Sequence, residues 1–365
     1  MHVTQLSFIL SQRESQKIQL VMDEIYFAGV EGGATQSTLL ISNADGKIVA
    51  RARGDSCNIW LDGISEVAKR IAVMADQAKL EANIPILIKF KCIGLSLSGC
   101  EQESTNAALE KEIKKSFPNL AENYVVCSDT LGSILTIGSG GIVIIAGTGS
   151  NSVLRNPNGE TTQCGGWGHQ LGDEGSAYWI AHKGIKTVFD HEDNLQKSKY
   201  DVANTWELIK NHFKVENRTD MLEHCYAKFQ KSFFAKLCHQ MSICAFNGDE
   251  LCKSVFKDAG KLLARMIVAL LPKASSELIL SCHLPILCVG SVWISWELLK
   301  QGFIDELHLH NIPFELRLLK LKTGVSPALG SIYMAADFVK FSLPREYAKN
   351  YEIFFRYNYN DVNNL

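Results

Sequence analysis

The chain has 365 residues, enough for two or three domains of about 150 residues each and for a sizeable buried core. Hydrophobic residues make up 46% and charged residues 21%, a globular balance that excludes a disordered or fibrous chain. Lys and Arg total 37 against 39 Asp and Glu, a net charge of -2 that argues against a nucleic-acid partner. No apolar run reaches the roughly 18 residues a membrane span needs.

The eleven cysteines are odd in number, contain no Cys-x-x-Cys pair and sit mostly in apolar runs. That pattern fits reduced thiols in a cytoplasmic protein better than a disulfide framework. Cys164, in a glycine-rich loop, is the one with a case for function. No basic residue precedes the short apolar patch at Phe8–Leu10, so a secretory signal is not expected. Residues 1–21 read as a disordered extension, with the first strand beginning after Met22.

The first strand is expected over Ile25–Val30, followed by Glu31-Gly32-Gly33-Ala34-Thr35. A second strand, Ser37–Ser42, turns through Asn43-Ala44-Asp45-Gly46 into a third, Lys47–Arg51; Asp-Gly between apolar runs is a hairpin signal. Asp62 is a candidate cap for a helix over Ile64–Leu80, whose apolar residues share one face. A buried strand (Lys91–Leu97), a helix (Ser104–Ser116) and another strand (Tyr124–Cys127) complete an alternation that indicates α/β architecture.

The pattern then restarts. Ile142–Ala146 is a β-branched strand leading into Gly147-Thr148-Gly149-Ser150-Asn151, then a strand Ser152–Asn156, a turn at Asn158-Gly159 and a strand from Glu160. Eleven residues separate Thr35 from Gly46, and eleven separate Thr148 from Gly159. The shared register predicts an internal duplication: an N-terminal lobe over residues 22–140 and a C-terminal lobe over 141–365. Farther on, helices are expected over Ser176–Phe189, Phe233–Asn247 and Leu251–Leu271, with a surface loop at Asp190–Asp201. A strand Pro285–Val289 ends at Gly290-Ser291, and a helix after Ser326-Pro327-Ala328-Leu329-Gly330 could pack back on the N-terminal lobe. The tail beyond Pro344 carries no clear signal.

Three features carry chemistry. Each glycine- and threonine-rich turn presents bare backbone N–H groups, the makings of a phosphate nest, although a hairpin needs glycine in any case. Neither turn fits the Walker or Rossmann patterns. Asp129 follows the strand Tyr124–Cys127 at its carboxyl end, where open α/β sheets place ligands; it could accept a proton from a hydroxyl or simply cap a helix. The third feature is Cys164–Ser176, with five glycines among thirteen residues and Trp167, His169, Asp173 and Glu174 interleaved. An indole and carboxylates suit a sugar. A structural His169 and a zinc ion on Cys164 and His169 are the competing readings.

The strings Cys164–His182 (CGGWGHQLGDEGSAYWIAH) and Leu284–Trp296 (LPILCVGSVWISW), with Val30–Thr35, Gly94–Gly99, Ser128–Ser133, Gly147–Asn151 and Ser326–Gly330, resemble eukaryotic N-acetylglucosamine kinases. These belong to the BadF/BadG/BcrA/BcrD-type ATPases of the actin/hexokinase/heat-shock superfold, and the likeness runs from about Tyr26 to Tyr333. The resemblance implies a two-lobed, ribonuclease H-like fold with the active site in the interdomain cleft. It also implies ATP-dependent phosphorylation of N-acetylglucosamine at O6. By the same resemblance, Gly32, Gly33, Thr35, Gly147, Thr148 and Gly149 hold nucleotide phosphate, and Gly290 and Ser291 fall at the adenosine motif. Asp129 is the catalytic base. Asn58, Asp129, Ser150, Asn151, Gly166, Trp167, Gly168 and Asp173 contact the sugar, and Glu31 meets Mg²⁺ through water. A cytoplasmic homodimer is implied as well.

Ala34, Gln36, Cys57 and Thr130-Leu131 depart from the family pattern, and Ala34 and Leu131 bear on sugar preference. The alternatives are a kinase of N-acetylmannosamine or a muramoyl compound, a non-kinase ATPase or activator of the same superfold, and a binding protein without turnover.

Overall fold

The computed structural model describes residues 24–33, 36–280 and 283–358. The expected extension at 1–21, Ala34, Thr35 and Cys282 lie outside them. The chain divides into two compact units, one of residues up to Gly138 with Leu321–Tyr351, the other of Ser139–Lys320 with the residues from Glu352 on. The second unit is therefore not the continuous stretch 141–365, because residues 321–351 return to the first.

In the first unit, β1 (Tyr26–Gly32), β2 (Gln36–Asn43), β3 (Ile48–Asp55), β4 (Cys92–Leu97) and β5 (Tyr124–Cys127) form a sheet of order β3-β2-β1-β4-β5. The β1–β2 and β2–β3 pairs are antiparallel, and β1–β4 and β4–β5 are parallel. Alternation along β1 sends Ala28 and Val30 to one face and Phe27 to the other. Ala28 and Val30 pack with Val67, Ile71 and Ala75 of α2 (Ile64–Glu81), which follows the one-turn α1 (Ile59–Asp62). Phe27 packs with Ile332 and Ala336 of a late helix.

The residues of that late helix return to this sheet for a steric reason. Gly29 and Gly94 are register partners on β1 and β4. A Cβ on Gly29 would stand 2.1 Å from the Ala328 carbonyl oxygen, and one on Gly94 would stand 1.9 Å from that of Ser331. Two missing side chains thus let a helix lie directly on the strands. Ser331 Oγ then donates to the Val30 carbonyl at 3.0 Å.

In the second unit, β6 (Gly141–Ala146), β7 (Ser150–Arg155), β8 (Thr161–Gly165), β9 (His283–Val289), β10 (Glu315–Leu321) and β11 (Tyr351–Tyr357) give the order β8-β7-β6-β9-β10-β11. Again β6–β7 and β7–β8 are antiparallel and β6–β9 and β9–β10 parallel. Both sheets therefore start from the same order and sense, as the repeated turn spacing requires. Ile142 and Ile144 of β6 enter a core with Ile180, Met241, Leu263, Leu299 and Phe303.

The remaining helices are α3 (Glu103–Ser116), α4 (Asp129–Leu135), α5 (Ala177–Glu192), α6 (Ala203–Phe213), α7 (Met221–Cys225), α8 (Lys231–Phe246), α9 (Glu250–Leu270), α10 (Ser276–Leu280), α11 (Trp296–Leu309) and α12 (Ala328–Phe338). The sequence reading missed α1, α6, α7, α10, α11 and β10, and the tail holds β11. Asp62 does not cap α2: Gly63 occupies that position, and Asp62 instead closes α1. None of the described helices is long and apolar enough to cross a membrane. The ten described cysteines are free thiols.

Candidate functional site

The described candidate residues form two clusters, one in each unit. In the first, the parallel strands β1, β4 and β5 end at one edge of the sheet, and Glu31, Ser98 and Asp129 come from those three ends. Backbone bonds tie the edge together: Ser98 N–H donates to the Gly32 carbonyl at 2.8 Å, Ile59 N–H to Ser98 at 3.3 Å, and Cys57 N–H to Gly33 at 3.2 Å. Asp129 is the first residue of α4, after the Ser128 cap, so the helix starts at the carboxylate itself and not near Gly132.

Ser98 Oγ donates to Asp129 Oδ2 at 2.6 Å. Burial pushes the Asp129 carboxyl above its ordinary range; the Ser98 bond opposes that rise, and the negative charge of Glu101 adds to it. Glu31 is pushed up to about 7, chiefly by burial and further by the neighbouring Asp129. Partly buried carboxylates with raised proton affinity, one of them raised by the other, are a feature of functional clusters. Asn58 caps α1, its Oδ1 accepting from the N–H groups of Trp60 at 2.9 Å and Leu61 at 3.3 Å. Of the first glycine turn, Gly32 and Gly33 are described and Thr35 is not.

In the second unit, the Gly147-Thr148-Gly149 turn joins β6 to β7, with Gly147 N–H donating to the Gly149 carbonyl at 2.9 Å. The first N–H groups of α5 hold it from below: Ala177 donates to Gly147 at 2.9 Å and Tyr178 to Thr148 at 3.3 Å. The Thr148 side chain is exposed. Gly290, at the end of β9, takes a φ of +108°, and its Cα lies so near the turn that a Cβ would stand 2.3 Å from the Ala146 carbonyl oxygen. Ser291 follows it at the surface.

Asp173 organises the rest of this cluster. Its Oδ1 accepts from Ser150 N–H at 3.0 Å, and its Oδ2 lies 2.6 Å from Lys231 Nζ. Ser150 Oγ donates to the Glu174 carbonyl at 2.8 Å. Asn151 Oδ1 is buried, has no hydrogen-bond partner among the described residues and faces Gly166, where a Cβ would stand 2.7 Å from it. Trp167 is 68% exposed beside Gly168, its indole largely unburied. His169 stacks on Phe229 with ring centroids 5.1 Å apart and meets Tyr178 edge-on, which favours the structural reading of that histidine. Among the described residues, the cluster with metal-ligand spacing is Cys244, Asp249 and Cys252, so zinc on Cys164 and His169 finds no third ligand.

Sequence reasoning missed Ser98 and Lys231. A hydroxyl just past a strand end was a usable signal for Ser98. Lys231 meets Asp173 only through the tertiary fold, and nothing local marks it.

Two sheets of this order, with glycine turns at matching places and carboxylates at the strand ends, define an actin-like ATPase fold. The chain belongs to the BadF/BadG/BcrA/BcrD ATPase family, whose sequence profile matches residues 28–307. It is 24% identical over 267 residues to the N-acetylmuramic acid/N-acetylglucosamine kinase of Clostridium acetobutylicum, covering 70% of this chain and 83% of that one. It is likewise 24% identical over 272 residues to the N-acetyl-D-glucosamine kinase of Dictyostelium discoideum, covering 69% and 81% of the two chains. Against the glucosamine kinase GspK of Vibrio cholerae it is 25% identical over 262 residues, covering 70% and 83%. A solved candidate N-acetylglucosamine kinase from Chromobacterium violaceum matches the fold with a TM-score of 0.65 at 21% identity, covering 85% of this chain and 98% of that one.

Proposed function

We propose that this protein is an ATP-dependent amino-sugar kinase that phosphorylates N-acetylglucosamine at O6. The observation that carries the reading is the Ser98–Asp129 pair at the strand-end edge, with Glu31 beside it. A carboxylate held there by a hydroxyl suits a base that orients an attacking alcohol. The names of the relatives supply the substrate class.

In the proposed reaction the sugar 6-hydroxyl oxygen forms a bond to the γ-phosphorus. The bond from that phosphorus to the bridging oxygen breaks, and ADP leaves with the electron pair. The hydroxyl proton passes to Asp129. Asn58, Ser150, Asn151, Gly166, Trp167, Gly168 and Asp173 hold the sugar, and the turns at Gly32-Gly33 and Gly147-Thr148-Gly149, with the hydroxyls of Thr35 and Thr148, cradle phosphate. Gly290 and Ser291 border the adenosine.

Glu31 is a hard oxygen donor, which fits Mg²⁺ held largely through water. When bound, Mg²⁺ would neutralise phosphate charge. The same reading makes the enzyme cytoplasmic and homodimeric, and sedimentation velocity reads the second point.

The test is ADP release by the purified protein with ATP and Mg²⁺ over a panel of N-acetylglucosamine, glucosamine, N-acetylmannosamine, N-acetylmuramic acid and glucose. N-acetylglucosamine should exceed glucose by far. A preference for a muramoyl compound would support the second reading, suggested by the Clostridium relative. Equal ATP hydrolysis with and without every amino sugar would leave a non-kinase ATPase.

A further inference from the structure

Asp62, expected as a helix cap, is the centre of a clamp on the segment Ser56–Asn58. One of its oxygens, Oδ2, accepts from Ser56 Oγ at 2.7 Å and from Asn58 N–H at 3.1 Å. The other, Oδ1, pairs with Arg70 at 3.0 Å, both side chains being mostly covered at 14% and 24% exposure. Arg70, one helix on, returns to the same segment. It donates to the Ser56 carbonyl at 2.5 Å and to Ser56 Oγ at 3.2 Å, while Glu66 holds its Nε at 3.1 Å. The segment is thus gripped from Asp62 and Arg70 through four polar contacts, and Cys57 between the gripped residues is fully buried.

The grip decides what Asn58 can offer. Its Oδ1 is committed to the Trp60 and Leu61 N–H groups, and those two donors fix the orientation of the amide. Among the described residues, its Nδ2 has no hydrogen-bond partner. Asn58 therefore presents two N–H donors, the complement of a hydroxyl or carbonyl oxygen on a ligand.

We propose that Asp62, braced by Arg70, is a positioning residue that sets the amide donor of Asn58 against an acceptor oxygen of the sugar. This rests on the amino-sugar reading above. The carboxylate touches no substrate; it acts by removing the freedom of the Asn58 backbone, so that the ordering cost is already met when the sugar arrives.

The experiment uses the full chain and the variants Asp62→Ala, Arg70→Ala and Arg70→Lys. Hydrogen exchange at the Ser56–Asn58 amides is measured without ligand, and the KM for N-acetylglucosamine and for ATP by ADP release. Asp62→Ala should speed exchange in this segment. It should raise the sugar KM tenfold or more while leaving the ATP KM within about twofold, and Arg70→Lys should recover part of what Arg70→Ala loses. A merely structural role would weaken both substrates together and lower the melting temperature in step. If the wild-type protein turns over no amino sugar, the functional reading fails and the exchange measurement alone decides the clamp. Unchanged exchange, or an unchanged sugar KM in Asp62→Ala, overturns the proposal.

Discussion

Ser98 Oγ donates to Asp129 Oδ2 across 2.6 Å, joining the turn after β4 to the first residue of α4. A hydrogen bond to a carboxylate favours its ionised form, and here it opposes the burial that pushes Asp129 up. Ser98→Ala removes the opposition and leaves Asp129, the base of the proposed reaction, protonated to a higher pH. The acidic limb of kcat/KM should move to higher pH, so that the variant loses more turnover on the acidic side of the profile than on the alkaline side. Asp129→Asn should lose a factor of about 10² to 10⁴ at every pH while nucleotide still binds. A Ser98→Ala profile superimposable on the wild type would show that the hydroxyl does not govern the base.

Glu31 makes a prediction about stability. Its pKa rises from 4.5 to about 7 on folding, so the folded protein binds this proton more tightly than the unfolded chain. Stability from that proton is fully present below about pH 4.5 and is lost as pH climbs through 7. Glu31→Gln carries no such penalty. Its advantage over the wild type should be small near pH 4.5, grow through the window and level off above pH 7, at up to about 3 kcal/mol by linkage. Thermal unfolding at a series of pH values reads this directly, and a difference that stays flat from pH 4.5 to 8 contradicts it.

What the sequence made legible was local. The turn spacing at Thr35–Gly46 and Thr148–Gly159 forecast two sheets of one topology, and the strand end before Asp129 forecast the placing of its carboxylate. Long-range relationships stayed hidden. Asp62 stands two residues before Ile64 and so looks like a cap, but Gly63, with a φ of +80°, turns the chain and frees it for Ser56 and Arg70. The return of residues 321–351 to the first unit depends on Gly29 and Gly94 being register partners, a fact of strand pairing that neither glycine announces. In the tail, Tyr351–Tyr357 is aromatic with no apolar–polar alternation, so β11 lacked a period-2 signature.

Lys231 supplies a charge that the second cluster needs. Asp173 is 3% exposed, and its two oxygens meet Ser150 N–H and Lys231 Nζ. Lys231→Met keeps the aliphatic stem but leaves a buried carboxylate with the backbone donor alone. Removing one partner of a buried pair costs about 3–5 kcal/mol; the 30% exposure of the lysine side chain lets water screen some of that, so about 2–3 kcal/mol is expected. The loss should show as a lower denaturant midpoint with the slope preserved. Adding Asp173→Asn to Lys231→Met should restore part of it, because the stranded charge is then gone. A double variant less stable than Lys231→Met would mean the pair does not act as one.

Gly290 separates backbone strain from crowding. Its φ is +108°, and a Cβ would also stand 2.3 Å from the Ala146 carbonyl oxygen and 2.9 Å from Gly147 N, where the second glycine turn begins. Gly324 has a φ of +90° but nothing within 4 Å of its Cβ position, so Gly324→Ala pays the conformational penalty alone, about 1 kcal/mol. Gly290→Ala must in addition push β9 away from the turn or move the turn itself, because neither neighbour is a side chain that can swing aside. If this turn cradles nucleotide phosphate, Gly290→Ala should weaken ADP binding tenfold or more by calorimetry, under conditions where its unfolding is still cooperative. Gly324→Ala should bind ADP as the wild type does. Equal ADP affinity in the two variants would detach the Gly147–Gly149 turn from the nucleotide, since the backbone of that turn cannot stay in place with a methyl group at residue 290.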